Sequence, residues 1–279
     1  MAAIANLSDF INRSTGGNSG TPQDISVFKA ARIGGAAAQL PTAGRVQSLW
    51  RFDGMPCGGA VPPTVATAPD NTTAGAIGQA SPGGGRQQWL TYVSCGGLNA
   101  GGIMIYDRLL HISGLNGTVV LPQTVGGTLT RNTGGIGNQI WIEIYSLIGT
   151  TGTTVTASYT NQAGTPGRTT AAIAFGGTAL REPTRLFCLP LQAGDTGVQS
   201  VEDVTLAGTT GTAGDFGVTI MKPVLWLPVT FLGAGGDFSA LSKGRGPVEI
   251  ESGACLSMFW IPASAAAPEF YMNLHLIEA

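Results

Sequence analysis

After residue 88 much of the chain alternates apolar and polar positions with a period of two, the mark of strands that bury one face. From Gln139 to Leu147 the alternation sets Ile140, Ile142 and Ile144 against Trp141, Glu143 and Tyr145. From Glu269 to Glu278 it sets Phe270, Met272, Leu274 and Leu276 against Tyr271, Asn273, His275 and Ile277. Further strands are predicted at Thr153–Asn161, Arg185–Leu191, Val198–Leu206 and Ala254–Ile261. The apolar stretch Phe216–Leu232 reads as two strands, Val218–Met221 and Val224–Leu232, parted at Pro223. Short strands with Gly-rich turns between them predict an all-β fold, with a β-sandwich or jelly-roll-like body over residues 88–279.

The preceding residues, 1–87, follow another pattern. Ala5–Arg13 predicts a short amphipathic helix with Leu7, Phe10 and Ile11 on one side. Gln23–Arg32 predicts a second helix, opened by Pro22 and Asp24. Prolines then punctuate a loop-like stretch in which one apolar segment stands out, Val46–Phe52, with Leu49, Trp50 and Phe52. This region is expected to be an extended, loop-rich N-terminal arm, with the Trp50 segment adding a strand or a plug. Leu7, Phe10, Trp50 and Phe52 are its candidate interface residues. Deleting residues 1–44 is expected to leave the sandwich folded. A short echo joins Leu147–Thr153 to Leu206–Thr212, and both copies follow a predicted strand.

Composition sharpens this reading. The chain has 279 residues, 43 of them Gly, and only 11% are charged, less than half the usual share. A monomer normally covers its surface with Lys, Arg, Asp and Glu; a largely neutral surface suits a protein packed against copies of itself and others. The net charge of −2 with no basic cluster argues against nucleic acid as a partner. No continuous apolar run approaches the roughly 20 residues of a membrane helix, and the start lacks a secretory pattern. Cys57, Cys95, Cys188 and Cys255 are widely spaced and are expected to be free thiols.

Candidate chemistry is sparse. The two histidines, His111 and His275, each sit in a predicted strand far from the other, and no G-x-S-x-G elbow is present. Asp195, Glu202, Asp203 and Asp215 fall in one region, without the ligand order of a calcium loop. Cysteines and histidines do not cluster as zinc ligands do. Gly83–Gly85 and Gly134–Gly137 lack phosphate-loop context. The expectation is a non-enzymatic protein with no catalytic residues, cofactor or metal.

The run TASYTNQAGTPGRTT (Thr156–Thr170) resembles structural proteins of tailed bacteriophages, as do LPLQAGDTGVQSVE (Leu189–Glu202) and TAGDFGVT (Thr212–Thr219). The similarity spans roughly residues 88–230 and leaves the N-terminal region outside it. It implies a virion component of the head or its decoration, made in the host cytoplasm and located on the capsid surface. Its partners would be the major capsid protein and copies of itself, in a homo-oligomer such as a trimer. The alternatives are a tail- or fibre-associated protein, a receptor-binding protein that recognises glycan through Trp89, Trp141 or Tyr145, and a virion hydrolase.

Overall fold

A computed structural model describes residues 4–17, 21–37, 43–229, 236–241, 246–265 and 269–279. The fold is nearly all-β, as the alternation predicts. Its centre is a six-stranded antiparallel sheet in the order β13 (Leu186–Leu189), β9 (Gln139–Ser146), β15 (Asp215–Val229), β7 (Gly101–His111), β18 (Leu256–Pro262), β4 (Gln47–Ser48).

Two further sheets, one of six strands and one of five, pack against this central sheet. One, here the first sheet, runs β16 (Gly236–Ser239), β6 (Gln88–Gly97), β19 (Phe270–Glu278), β1 (Gln23–Lys29), β5 (Gly54–Met55), and β17 (Val248–Ile250) also pairs with β6. The other, the third sheet, runs β11 (Arg168–Thr169), β10 (Gly152–Asn161), β14 (Val198–Leu206), β8 (Gln123–Thr124), with β12 (Ile173–Gly176) on β10. A two-stranded ribbon, β2 (Arg32–Ile33) and β3 (Ala36–Ala37), completes the strands.

Two cores lie one after the other along the same face of the central sheet, one against each of the other sheets. Ile103, Ile105, Leu225, Leu227, Leu256 and Met258 share a face and pack with Val93, Met272, Leu274 and Leu276 of the first sheet. Further along, Leu110, Ile140, Ile142, Ile144, Val218 and Ile220 pack with Val155, Tyr159, Val201 and Val204 of the third sheet. The register shifts between Ile220 and Met221 against Leu110 and Arg108, leaving Leu109 as the extra residue. That bulge keeps the apolar set of β7 in the interior on both sides of the shift.

Two expectations for the N-terminal region change. Gln23–Lys29 is the strand β1, not a helix, and pairs with β19 from Gln23↔Leu276 to Lys29↔Phe270. Its Ile25, Val27, Lys29 alternation and β-branched residues favour a strand, and the Pro22/Asp24 start signal does not outweigh them. The described residues before 88 are therefore woven into the body: β1 lies inside the first sheet, and β4 extends the central one. The first helix forms where expected, as α1 (Leu7–Ser14). The Asn6 side chain accepts the Asp9 N–H at its start, and the Arg13 guanidinium reaches the Glu278 carbonyl at 3.3 Å.

The predicted break at Pro223 is absent, and β15 runs unbroken from Asp215 to Val229. Its second half, Lys222–Val229, pairs only with β7 among the described strands, and Pro223 and Pro228 fall in that stretch. Proline is tolerated there because one edge of the strand has no ladder to complete. Elsewhere the outermost strands of all three sheets are two to four residues long. The echoed segments meet in space: the Gly149 N–H donates to Thr210 Oγ1 at 3.0 Å and the Thr151 N–H to the Thr210 carbonyl at 3.0 Å. No described helix is long and apolar enough to cross a membrane.

Candidate functional site

The second face of the central sheet carries the chain's densest polar chemistry. Alternation, corrected by the bulge at Leu109, places Tyr106, Arg108 and His111 of β7, Glu143 and Tyr145 of β9, and Thr219 of β15 on that side. Arg108 Nη2 lies 2.7 Å from Glu143 Oε2 and 3.2 Å from Tyr145 Oη, while its Nε donates to His111 Nδ1 at 2.9 Å. Thr219 Oγ1 and Tyr145 Oη each donate to Glu143 Oε2 at 3.1 Å. Arg108 and Glu143 are fully buried. A charge in such a place is tolerable only when it is paired and hydrogen-bonded.

A strap formed by residues 46–77 closes this cluster. The Trp50 ring lies over the Arg108 guanidinium at 4.7 Å and meets His111 edge-on at 5.7 Å, and its Nε1 donates to the Ala60 carbonyl. Thr67 and His111 exchange backbone hydrogen bonds. Burial pulls the His111 pKa down to about 2, helped by the neighbouring Arg108 charge, so the imidazole is neutral. Burial would also depress Arg108, but the Glu143 carboxylate and the two tyrosines outweigh it and hold the guanidinium protonated. Tyr145 is pushed well above its usual range by burial and by the Glu143 charge. These groups are shut away from solvent. The arrangement fixes the geometry of β7 against β9 and β15.

A second ion pair adjoins it. Arg131 grips Asp107 through Nε and Nη2 at 3.0 and 2.9 Å, and Nη2 also donates to the Pro69 and Arg108 carbonyls. The Cys255 N–H donates to the same carboxylate at 2.8 Å. Outside this pair a groove of about 330 Å³ opens between Lys222–Val224 and Val248–Glu251, and a depression of about 400 Å³ continues it past Asn132. Glu251 takes the Asn132 N–H and Lys222 reaches the Ile136 carbonyl, so two of the groove's charged groups have partners within the fold.

Of the candidate interface residues, Trp50 and Phe52 are 1% and 0% exposed, and Phe10 packs in the first core. Their apolar surface is used inside this chain, so the expected outward role is revised for all three. Leu7 is 59% exposed, beside Ile11 on α1. Trp141 and Tyr145, considered as sugar platforms, are buried, and Trp89 packs against the first core.

The four carboxylates considered for calcium serve different partners. Asp195 accepts from Arg168, Tyr159 and Asn161, which pull its pKa down to about 2. Glu202 takes Thr160 and Ser200, Asp203 accepts from Thr205, and Asp215 takes the Gly114 N–H. No group of metal-type ligands occurs among the described residues. His275 Nδ1 lies 2.7 Å from Asp24 at the surface. Cys95 and Cys255 are buried, Cys57 and Cys188 are exposed, and all four are free.

Sequence reasoning did not single out Asp107, Arg108, Arg131 or Glu143. The signal was present: Asp107-Arg108 interrupts an otherwise apolar strand, and Glu143 stands between Ile142 and Ile144. No protein-family model matches this chain, nor does any curated protein or solved structure.

Proposed function

We propose that this chain is a non-enzymatic structural protein of a bacteriophage virion, a capsid decoration or cement protein that binds and stabilises the head shell. One observation carries the reading. Among the few charged residues, Arg13, Lys29, Asp107, Arg108, Arg131, Glu143 and Glu278 are buried, so the surface is still less charged than the composition implies. Lys29 illustrates it: its Nζ donates to the Phe52 and Pro56 carbonyls at 3.0 and 2.9 Å inside the body. A sparsely charged exterior carrying Leu7, Ile11, Leu121 and Trp226 in exposed positions suits a protein enclosed by neighbours, where isolated solubility matters less.

The test is cosedimentation of the full chain with shells assembled from the major capsid protein alone. Saturation at a fixed ratio per capsomer, weakened by changing Leu7 and Ile11 to Ser, is the expected result. A chain that stays in the supernatant at every shell concentration overturns the proposal.

A further inference from the structure

The first sheet buries one face in its core and turns the other to solvent. Its register arranges that outer face in three rows. Met55, Phe28, Tyr271 and Gly96 make the first, Ser26, Asn273 and Ser94 the second, and Asp24, His275 and Tyr92 the third. Phe28 and Tyr271 stack at 5.0 Å, and Tyr271 remains 61% exposed. Tyr92, four residues from Gly96 along β6, is 41% exposed. At about 3.4 Å per residue the two tyrosines stand roughly 14 Å apart along the strands.

The floor between them is low. Ser26, Ser94 and Asn273 are short, and a β-carbon placed on Gly96 would meet nothing within 4 Å. Ser26 Oγ is fixed to Asn273 Oδ1 at 2.9 Å, and the Asp24 carboxylate, paired with His275, is 87% exposed.

We propose that this face binds a neutral oligosaccharide, laid along the strands from Tyr271 to Tyr92. A sugar ring presents an apolar face of C–H groups and an edge of hydroxyls. The C–H face suits the electron-rich face of an exposed tyrosine. The hydroxyls meet the amide of Asn273, the Ser26 and Ser94 hydroxyls and the Asp24 carboxylate.

Other ligand classes fit less well. A protein partner seated by apolar contact would want a continuous apolar patch, and the middle row is polar throughout. Nucleic acid and anionic polysaccharides need cationic groups; the three rows hold no Lys or Arg, and Asp24 repels them. The proposal stands whether or not the chain belongs to a capsid.

The experiment is native gel electrophoresis of the full chain through gels containing dextran, mannan, galactan or soluble β-glucan, with alginate as the anionic control. At least one neutral polymer is expected to retard the wild type. Tyr271→Ala should weaken that retardation about fivefold, the scale of one lost aromatic contact. Tyr271→Phe, which keeps the ring, should restore most of it. Asn273→Ala gives an independent reading, and thermal unfolding of each variant confirms that it is folded. The proposal is overturned if no neutral polymer slows the wild type, if alginate alone does, or if folded Tyr271→Ala and Asn273→Ala variants both migrate like the wild type.

Discussion

Trp50 covers Arg108: the indole ring lies 4.7 Å from the guanidinium carbon, on the side of the central sheet away from both main cores. The contact joins a residue of the N-terminal strap to the middle of β7. Trp50→Ala removes the ring and leaves Arg108 and Glu143 facing a void. A loss of about 3–5 kcal/mol is expected in urea unfolding.

The ion pair beneath it should behave asymmetrically. Arg108→Met leaves the Glu143 carboxylate buried without its cation and should cost about 3–5 kcal/mol. Adding Glu143→Leu should recover a good part of that loss, because the second charge no longer needs a partner. A double-mutant cycle measured by urea unfolding decides this; additive losses would show that the two residues are not coupled.

Acid should loosen the fold in a window set by His111. Its folded pKa is depressed to about 2, so between that value and the ordinary value near 6.5 the unfolded chain binds a proton that the folded chain does not. Stability from this group is therefore complete above about pH 6.5 and falls below it, with a limiting slope of about 1.4 kcal/mol per pH unit. Arg108 and Trp50 lie against the imidazole, and the Arg108 charge disfavours its protonation. Asp195 shares the direction of loss but acts only below about pH 4, where its carboxylate takes up a proton. The unfolding midpoint of the wild type should fall between pH 6.5 and 4.5, and His111→Gln should flatten the profile there.

Two glycines separate rigid from yielding contacts. A β-carbon on Gly149 would sit 1.7 Å from the Thr210 carbonyl oxygen, a backbone atom of the paired turn. On Gly102 it would meet the Trp226 ring at 1.9 Å, and that side chain is 43% exposed and free to swing outward. Gly149→Ala should cost about 1–3 kcal/mol or more, as overpacking does. Gly102→Ala should cost clearly less, with a change in Trp226 fluorescence.

The N-terminal residues divide between α1 and β1. Removing residues 1–17 takes α1 away and should lower the melting temperature while leaving cooperative unfolding. Removing 1–44 also deletes β1, which pairs with β19 over seven residues and seats Val27 in the first core. That truncation is expected to expose the edge of β19 and to aggregate, contrary to the reading in which these residues form a separable arm. Circular dichroism melts and light scattering of the two truncations check it.

The contrast between β9 and β1 shows what the sequence could reveal. In β9 the alternation of three isoleucines with Trp141, Glu143 and Tyr145 places every residue on its observed face, because local pattern and tertiary burial agree. In β1 a helix-start signal competed with a two-residue period across seven positions, and only pairing with β19, some 250 residues away, decides between them. Ile277 was set opposite Leu276 by the alternation, yet both are buried in the first core at the end of the strand. The Arg108 cluster was hidden for a similar reason: its members come from three strands, and its lid comes from the Trp50 segment. The exposed tyrosines were legible as outward positions on β19 and β6, but their spacing across the face depends on register.

Each sheet closes on a strand of two to four residues, and the longer open stretch of β15 carries two prolines. A rung that short gives an incoming chain too few backbone groups to copy, and proline withholds the donor where more are on offer. High local concentrations, such as many molecules held side by side, therefore bring less risk of runaway templating than long outer strands would.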